Sequence, residues 1–118
     1  MRLYKILVTG PFNAGKTTLV RTLCKEYLST EKRLLRRTIK SVTTVALDFG
    51  VVEVDRDRYV KLFGTPGQER FSFLWRPLSI GMDGYILIID SGDLESIKKA
   101  EKVYKFFRKL APRTPHVI

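Results

Sequence analysis

The stretch TGPFNAGKTT, Thr9 to Thr18, decides how the rest of the chain is read. Gly10, Gly15, Lys16 and Thr17 fit G-x-x-x-x-G-K-[ST], the spacing of a phosphate cradle. Phosphate is multiply anionic, so it needs several donors at close range with no bulky side chain in the way. Gly10 and Gly15 let backbone N–H groups turn inward, Lys16 adds a full charge, and the Thr17 hydroxyl is placed to ligate Mg2+. A helix starting at Lys16 adds its positive dipole end, worth up to ~2 kcal/mol in a partly buried setting. The match depends on its context, a strand before the loop and an amphipathic helix after it.

Both are legible. YKILV (4–8) is short, apolar and stopped by Gly10, so it reads as a buried strand. From Lys16 to about Leu28, Leu19, Leu23 and Tyr27 repeat every four residues, as do Val20, Cys24 and Leu28. Cys24 lies inside that stripe and reads as core filler rather than nucleophile. As the single cysteine it can form no internal disulfide, which makes a reducing cytoplasm the expected compartment.

Further along, residues 29–44 have no clear period and read as a loop. Residues 46–54 and 59–63 suit two strands of an antiparallel hairpin, turned at VDRDR (54–58). GTPGQER (64–70) is rich in breakers, and 71–80 suits an irregular helix limited by Pro77. YILIID (85–90) reads as a buried parallel strand. Asp93 is placed to cap a helix to about Leu110, with Ile97, Ala100, Val103, Phe107 and Leu110 as its stripe and Pro112 as its stop. PHVI (115–118) reads as the start of another buried strand, and an end at that point leaves YILIID with little cover on one side. This order predicts an α/β fold: a mostly parallel sheet with helices on both faces and one antiparallel strand, in one domain over 1–118.

The longest apolar run, Tyr85–Ile89, is far short of the ~20 residues a membrane span needs. The start of the chain has neither a signal-peptide pattern nor a glycine at position 2 for myristoylation. The net charge of +10 is unusual for a chain this size. Two runs, 31–40 and 98–113, hold 12 of the 22 basic residues. Such runs read first as an ordinary solvated face, and otherwise suit an acidic partner or a membrane surface, giving an expected location in the cytoplasm or peripheral at a membrane. Neither run carries a nucleic-acid motif, which argues against nucleic acid as the partner.

The segments TTVALDFG (43–50) and KLFGTPGQERF (61–71) resemble the two switch segments of Ras-superfamily small GTPases, with PGQERF closest to the Rab-like pattern. The spacing from Gln68 to Asp90 matches without a gap, and the resemblance runs from the first strand to the end of the chain. It implies a small G domain of the P-loop NTPase fold, present here as its N-terminal two-thirds with the C-terminal strands missing. It also implies GTP and GDP as ligands and Mg2+ as cofactor. By position, Gly10, Asn13, Ala14, Gly15, Lys16, Thr17 and Thr18 would hold the nucleotide. Thr44, with neighbouring Thr43 as its competitor, and Gly67 would reach the γ-phosphate through backbone N–H groups, Thr17 and Thr44 would hold Mg2+, and Gln68 would orient the attacking water. Thr38–Gly50 and Gly64–Trp75 would be surfaces for a regulatory or effector protein. FSFLW (71–75) carries more apolar surface than one face buries.

Three departures qualify the resemblance. Gly64 stands where the family has a Mg2+-linked aspartate, with Asp48 favoured over Asp90 as its substitute; atypical branches with bacterial and archaeal members show similar replacements, so the resemblance implies a place nearer those branches than Rab. Phe12 and Asn13 stand where a typical Ras has glycines: bulk at Phe12 predicts slow hydrolysis, while Asn13 offers a donor to the phosphate bridge. The N-K-x-D motif that reads guanine would fall beyond Ile118. Arg36, Arg37 and Arg70 are candidates for an arginine acting in cis. The expected function is a GTP-binding switch with slow, Mg2+-dependent hydrolysis. The alternatives are a non-hydrolysing nucleotide-dependent scaffold and a P-loop ATPase or kinase.

Overall fold

A computed structural model describes residues 2–23 and 48–118. Strand β1 (Arg2–Thr9) is its centre, with β3 (Arg58–Gly64) and β4 (Gly84–Leu87) on either side. The described sheet runs β2-β3-β1-β4-β5, where β2 is Asp48–Glu53 and β5 is His116–Val117. Parallel register carries β1 along β3 from Arg2↔Arg58 to Val8↔Gly64, and along β4 from Ile6↔Gly84 to Thr9↔Leu87. β2 pairs antiparallel with β3, and β4 pairs parallel with β5. The sheet is the expected mixed, mostly parallel one, with α1 (Lys16–Leu23) on one face and α3 (Leu94–Leu110) on the other.

Side-chain alternation along β1 divides two cores. Leu7 joins Trp75, Tyr85, Leu87, Val103 and Phe107 on the α3 face. Val8 joins Val20 and Leu62 on the α1 face, with Ile6, Val52, Val60 and Ile88 packed around them. The first core is aromatic: the Trp75 ring meets Phe106 edge-on at 5.4 Å, and Tyr85 lies 5.3 Å from Phe107. The second is aliphatic, and beside α1 it opens into a groove of about 430 Å³ lined by Ile6, Leu23, Val52, Val60, Leu62 and Ile86 among others.

The connecting segments follow local chemistry. The Asp93 carboxylate accepts from the Glu95 amide and starts α3. The segment around Pro77 is a 3-10 turn (Glu69–Leu74) followed by α2, Trp75–Ser79. β4 stops at Leu87, three residues short of the expected Asp90. The reason is a turn: the Asp90 carboxylate accepts from the Gly92 amide, and the Asp90 amide donates to the Ser96 hydroxyl. That bond also draws Ser96 into the buried face of α3, leaving Ile97 41% exposed rather than buried as the stripe predicts. β5 forms at PHVI but Val117 and Ile118 are exposed, against the expected buried strand. Cys24, Tyr27, Leu28 and the basic run 31–40 lie outside the described residues.

Tyr85 sits 2% exposed in the aromatic core, and its hydroxyl has no hydrogen-bond partner among the described residues. Tyr85→Phe should therefore leave stability unchanged or raise it by up to ~1 kcal/mol, read as the urea midpoint. Burial also pushes the phenol above its ordinary value of 10.0. Above that pH the unfolded phenol ionises while the folded one keeps its proton, so stability falls as pH rises. The phenylalanine variant should show a smaller alkaline loss.

Candidate functional site

The loop after β1 lies at the carboxyl ends of β1, β3 and β4, the edge where open α/β sheets bind ligands. Gly10 enters it at φ +147°, and a Cβ there would run into the Ile88 carbonyl, so only glycine fits. The Ala14 amide donates to the Pro11 carbonyl at 3.2 Å, closing the turn. Asn13 sits at φ +65°, a left-handed conformation that asparagine tolerates better than most residues. This gives Asn13 a backbone role that its sequence position alone does not suggest. Phe12 is 56% exposed at the rim.

Lys16 is buried in the first turn of α1. Its ammonium donates to the Gly10 carbonyl at 2.9 Å and the Pro11 carbonyl at 2.6 Å. The positive charge is thus fixed inside the loop by the loop's own oxygens. Thr17 and Thr18 follow on the exposed side of the same turn.

A second segment, more than fifty residues away in sequence, closes over this loop. The Thr65 amide continues the sheet ladder to the Val8 carbonyl at 2.9 Å, and its hydroxyl donates to the Thr9 hydroxyl at 2.8 Å. The Pro66 carbonyl accepts from the indole Nε1 of Trp75 at 2.8 Å. Gly67 then lies directly against the first loop. A Cβ on it would stand 2.5 Å from the Phe12 amide nitrogen and 2.6 Å from Lys16 Nζ. Gly10, Asn13, Ala14, Gly15, Lys16, Thr17, Thr18 and Gly67 are therefore brought to one place.

The other candidates are placed less uniformly. The Gln68 carbonyl Oε1 accepts from Arg70 Nε at 2.8 Å, and the Arg70 guanidinium lies 4.8 Å from the centre of the Phe71 ring. Arg70 is thus engaged with the glutamine beside it. Gly64 ends β3, and Asp48 is its direct register partner on β2. Asp90 spends its carboxylate on the Gly92 amide. Thr44, Arg36 and Arg37 lie outside the described residues. Among those described, no group of three or more His, Cys, Asp or Glu can hold a metal. A hard cation here would rely on hydroxyl oxygens such as Thr17 together with oxygens of a bound phosphate. The Trp75–Pro66 and Thr65–Thr9 bonds are not foreseen from sequence, since hydrogen bonds between distant segments leave no periodicity or motif.

Gly67→Ala should force the second segment off the first, costing about 1–3 kcal/mol by overpacking. Chemical denaturation measures the loss. Trp75 emission should shift with it, because the indole is bonded next to the displaced residue.

Residues 1–110 match the ADP-ribosylation factor family. ADP-ribosylation factor-like protein 3 of Saccharomyces cerevisiae is 36% identical over 94 residues, covering 80% of this chain and 46% of the yeast protein. The fold is similar to the GTP-bound T. brucei IFT22/74/81 crystal structure, with TM-score 0.71, 25% identity, and coverage of 99% of this chain and 65% of that one. It is also similar to GDP-bound T. brucei IFT22, with TM-score 0.64, 25% identity, and coverage of 98% and 59%. The chain spans about half the length of the curated relatives it matches. The Rab-like run PGQERF thus sits in a chain whose family match lies elsewhere in the Ras superfamily: this chain belongs to the ADP-ribosylation factor family.

Proposed function

We propose that this chain is the phosphate-binding part of a GTP-dependent molecular switch that hydrolyses GTP slowly with Mg2+. The observation that carries the reading is the meeting of Gly67 with Lys16 and the Phe12 amide. A terminal phosphate present in one state and absent in the other is the chemistry to which such a junction responds. The similarity to T. brucei IFT22 structures in both GTP-bound and GDP-bound forms supports this.

In this reading Gly10 through Thr18 wrap the phosphates, and Lys16 turns its ammonium from the Gly10 and Pro11 carbonyls towards the terminal ones. Gly67 donates its amide to the γ-phosphate, and Gln68 orients a water. Thr17 and Thr44 would hold Mg2+, with Asp48 opposite Gly64 serving in place of the missing aspartate. The ion would supply charge neutralisation across the phosphate oxygens. Gly64 also supports placement in an atypical branch.

Labelled GTP should be displaced by GTP or GDP and not by ATP; displacement by ATP would favour an ATPase or kinase instead. Lys16→Ala should weaken binding by about 10- to 100-fold, the worth of one charged hydrogen bond.

Slow hydrolysis rests on two features: a bulky Phe12 at the rim, whose backbone meets Gly67, and Gln68 engaged by Arg70. The second also favours the scaffold reading, in which Gln68 never reaches a water. Single-turnover phosphate release should be faster in Phe12→Gly than in the parent. Equal or slower release removes Phe12 as the obstruction, and no release with Mg2+ in either protein selects the scaffold.

A further inference from the structure

The outer face of α3 carries a line of side chains that the phosphate site does not use. Ser96, Ala100, Val103 and Phe107 form the buried side of the helix. Lys98, Lys102, Lys105 and Lys109 lie diametrically opposite, at i, i+4, i+7 and i+11, and all are exposed. Leu94, 75% exposed, extends the same line by one turn at its start. Arg108 and Arg113 add charge near its end.

Two carboxylates already mark what this line attracts. Glu101 pairs with Lys105 at 3.2 Å along the helix. Glu69, next to Gln68, reaches across from the second loop segment to Lys102 at 3.4 Å. All four side chains are largely exposed, so neither pair is strong and each is open to competition.

We propose that Leu94, Lys98, Lys102, Lys105 and Lys109 form a docking line for an acidic helical segment of a partner protein, whose carboxylates compete with Glu69 for Lys102. The shape of the charge selects this occupant. The line is one side chain wide and straight along a helix, so a second helix laid beside it meets every lysine. Leu94 gives that helix an apolar anchor at one end. A lipid plane would also press the Glu69 and Glu101 carboxylates against anionic headgroups. Displacing Glu69 frees the residue directly after Gln68, so docking on α3 is linked to the loop that covers Lys16. The surface itself does not depend on the nucleotide reading.

The test uses the full chain, with and without GDP, and a fluorescein-labelled helical peptide. The peptide carries one leucine and four glutamates at the spacing of the line; a control has the same composition with the glutamates spread around the helix. The matched peptide should bind more tightly than the control, and raised salt should weaken it. Lys98→Glu with Lys105→Glu should abolish binding while Trp75 emission reports an intact fold. Lys102→Ala should weaken it, and Glu69→Gln should tighten it by up to about fivefold, the upper end for one exposed pair. Equal binding of the two peptides overturns the proposal. So does an affinity indifferent to Glu69→Gln, or capture by phosphatidylserine vesicles when both peptides fail. If GDP does not bind but the matched peptide does, the nucleotide reading fails and the docking line stands.

Discussion

A lysine ammonium taken out of water must be met by oxygens, and Lys16 imposes that requirement at the centre of this molecule. Without them, a buried charge of this kind costs several kcal/mol. The Gly10 and Pro11 carbonyls supply the oxygens, and they point inward because the loop can take backbone conformations closed to most side chains. The glycine at Gly10, the left-handed Asn13 and the turn from Pro11 to Ala14 all serve the same end. The loop is a shell of dipoles arranged around one cation. An arrangement that holds a cation by carbonyls on one side and exposes amides on the other is suited to an anion.

The sheet makes that shell rigid. β1 is flanked by parallel strands on both sides, and its last residues deliver the loop from the middle of the sheet rather than from an edge. The second loop segment is fastened independently, by the Thr65 rung to Val8 and by Trp75 on the Pro66 carbonyl. Trp75 belongs to the aromatic core through Phe106 and Phe107. The segment over Lys16 is therefore tied to the packing of α3 as well as to the sheet. A change at either place is felt at the other through contacts of ordinary van der Waals and hydrogen-bond length.

How much of this is legible in the sequence differs by the kind of signal. The loop, the succession of strands and helices, the antiparallel hairpin and the Asp93 cap are carried by motifs, alternation and turn residues, and each of these acts locally. The end of β4 is misplaced because YILIID is apolar as far as Ile89, while a side chain six residues on from Asp90 turns the backbone. Ile97 and Ser96 exchange burial for the same reason. Of the candidate site residues, those in the first loop, given by the motif, and Gly67, given by the resemblance, lie together. The engagement of Gln68 with Arg70 could not be read, since two residues at i and i+2 touch only in one particular backbone conformation. FSFLW divides: Trp75 is buried in the core, while Phe73 is 66% exposed. Composition could count the surplus of apolar surface there but could not say which ring stays outside.

The ladder of hydrogen bonds does not stop where the strands do. The Thr65 amide reaches Val8 one residue beyond β3, and the Ile88 amide reaches Thr9 one residue beyond β4, so backbone bonds hold β1 as far as Val8 on one side and Thr9 on the other. Opening either of these amides to solvent requires breaking the end of the central strand. Gly67 stands two residues past Thr65 and has no rung of that kind among the described residues. The change from an amide held in the ladder to one outside it thus falls within a span of two peptide bonds. A border of that sort lets the second segment shift while the strand beneath it stays still.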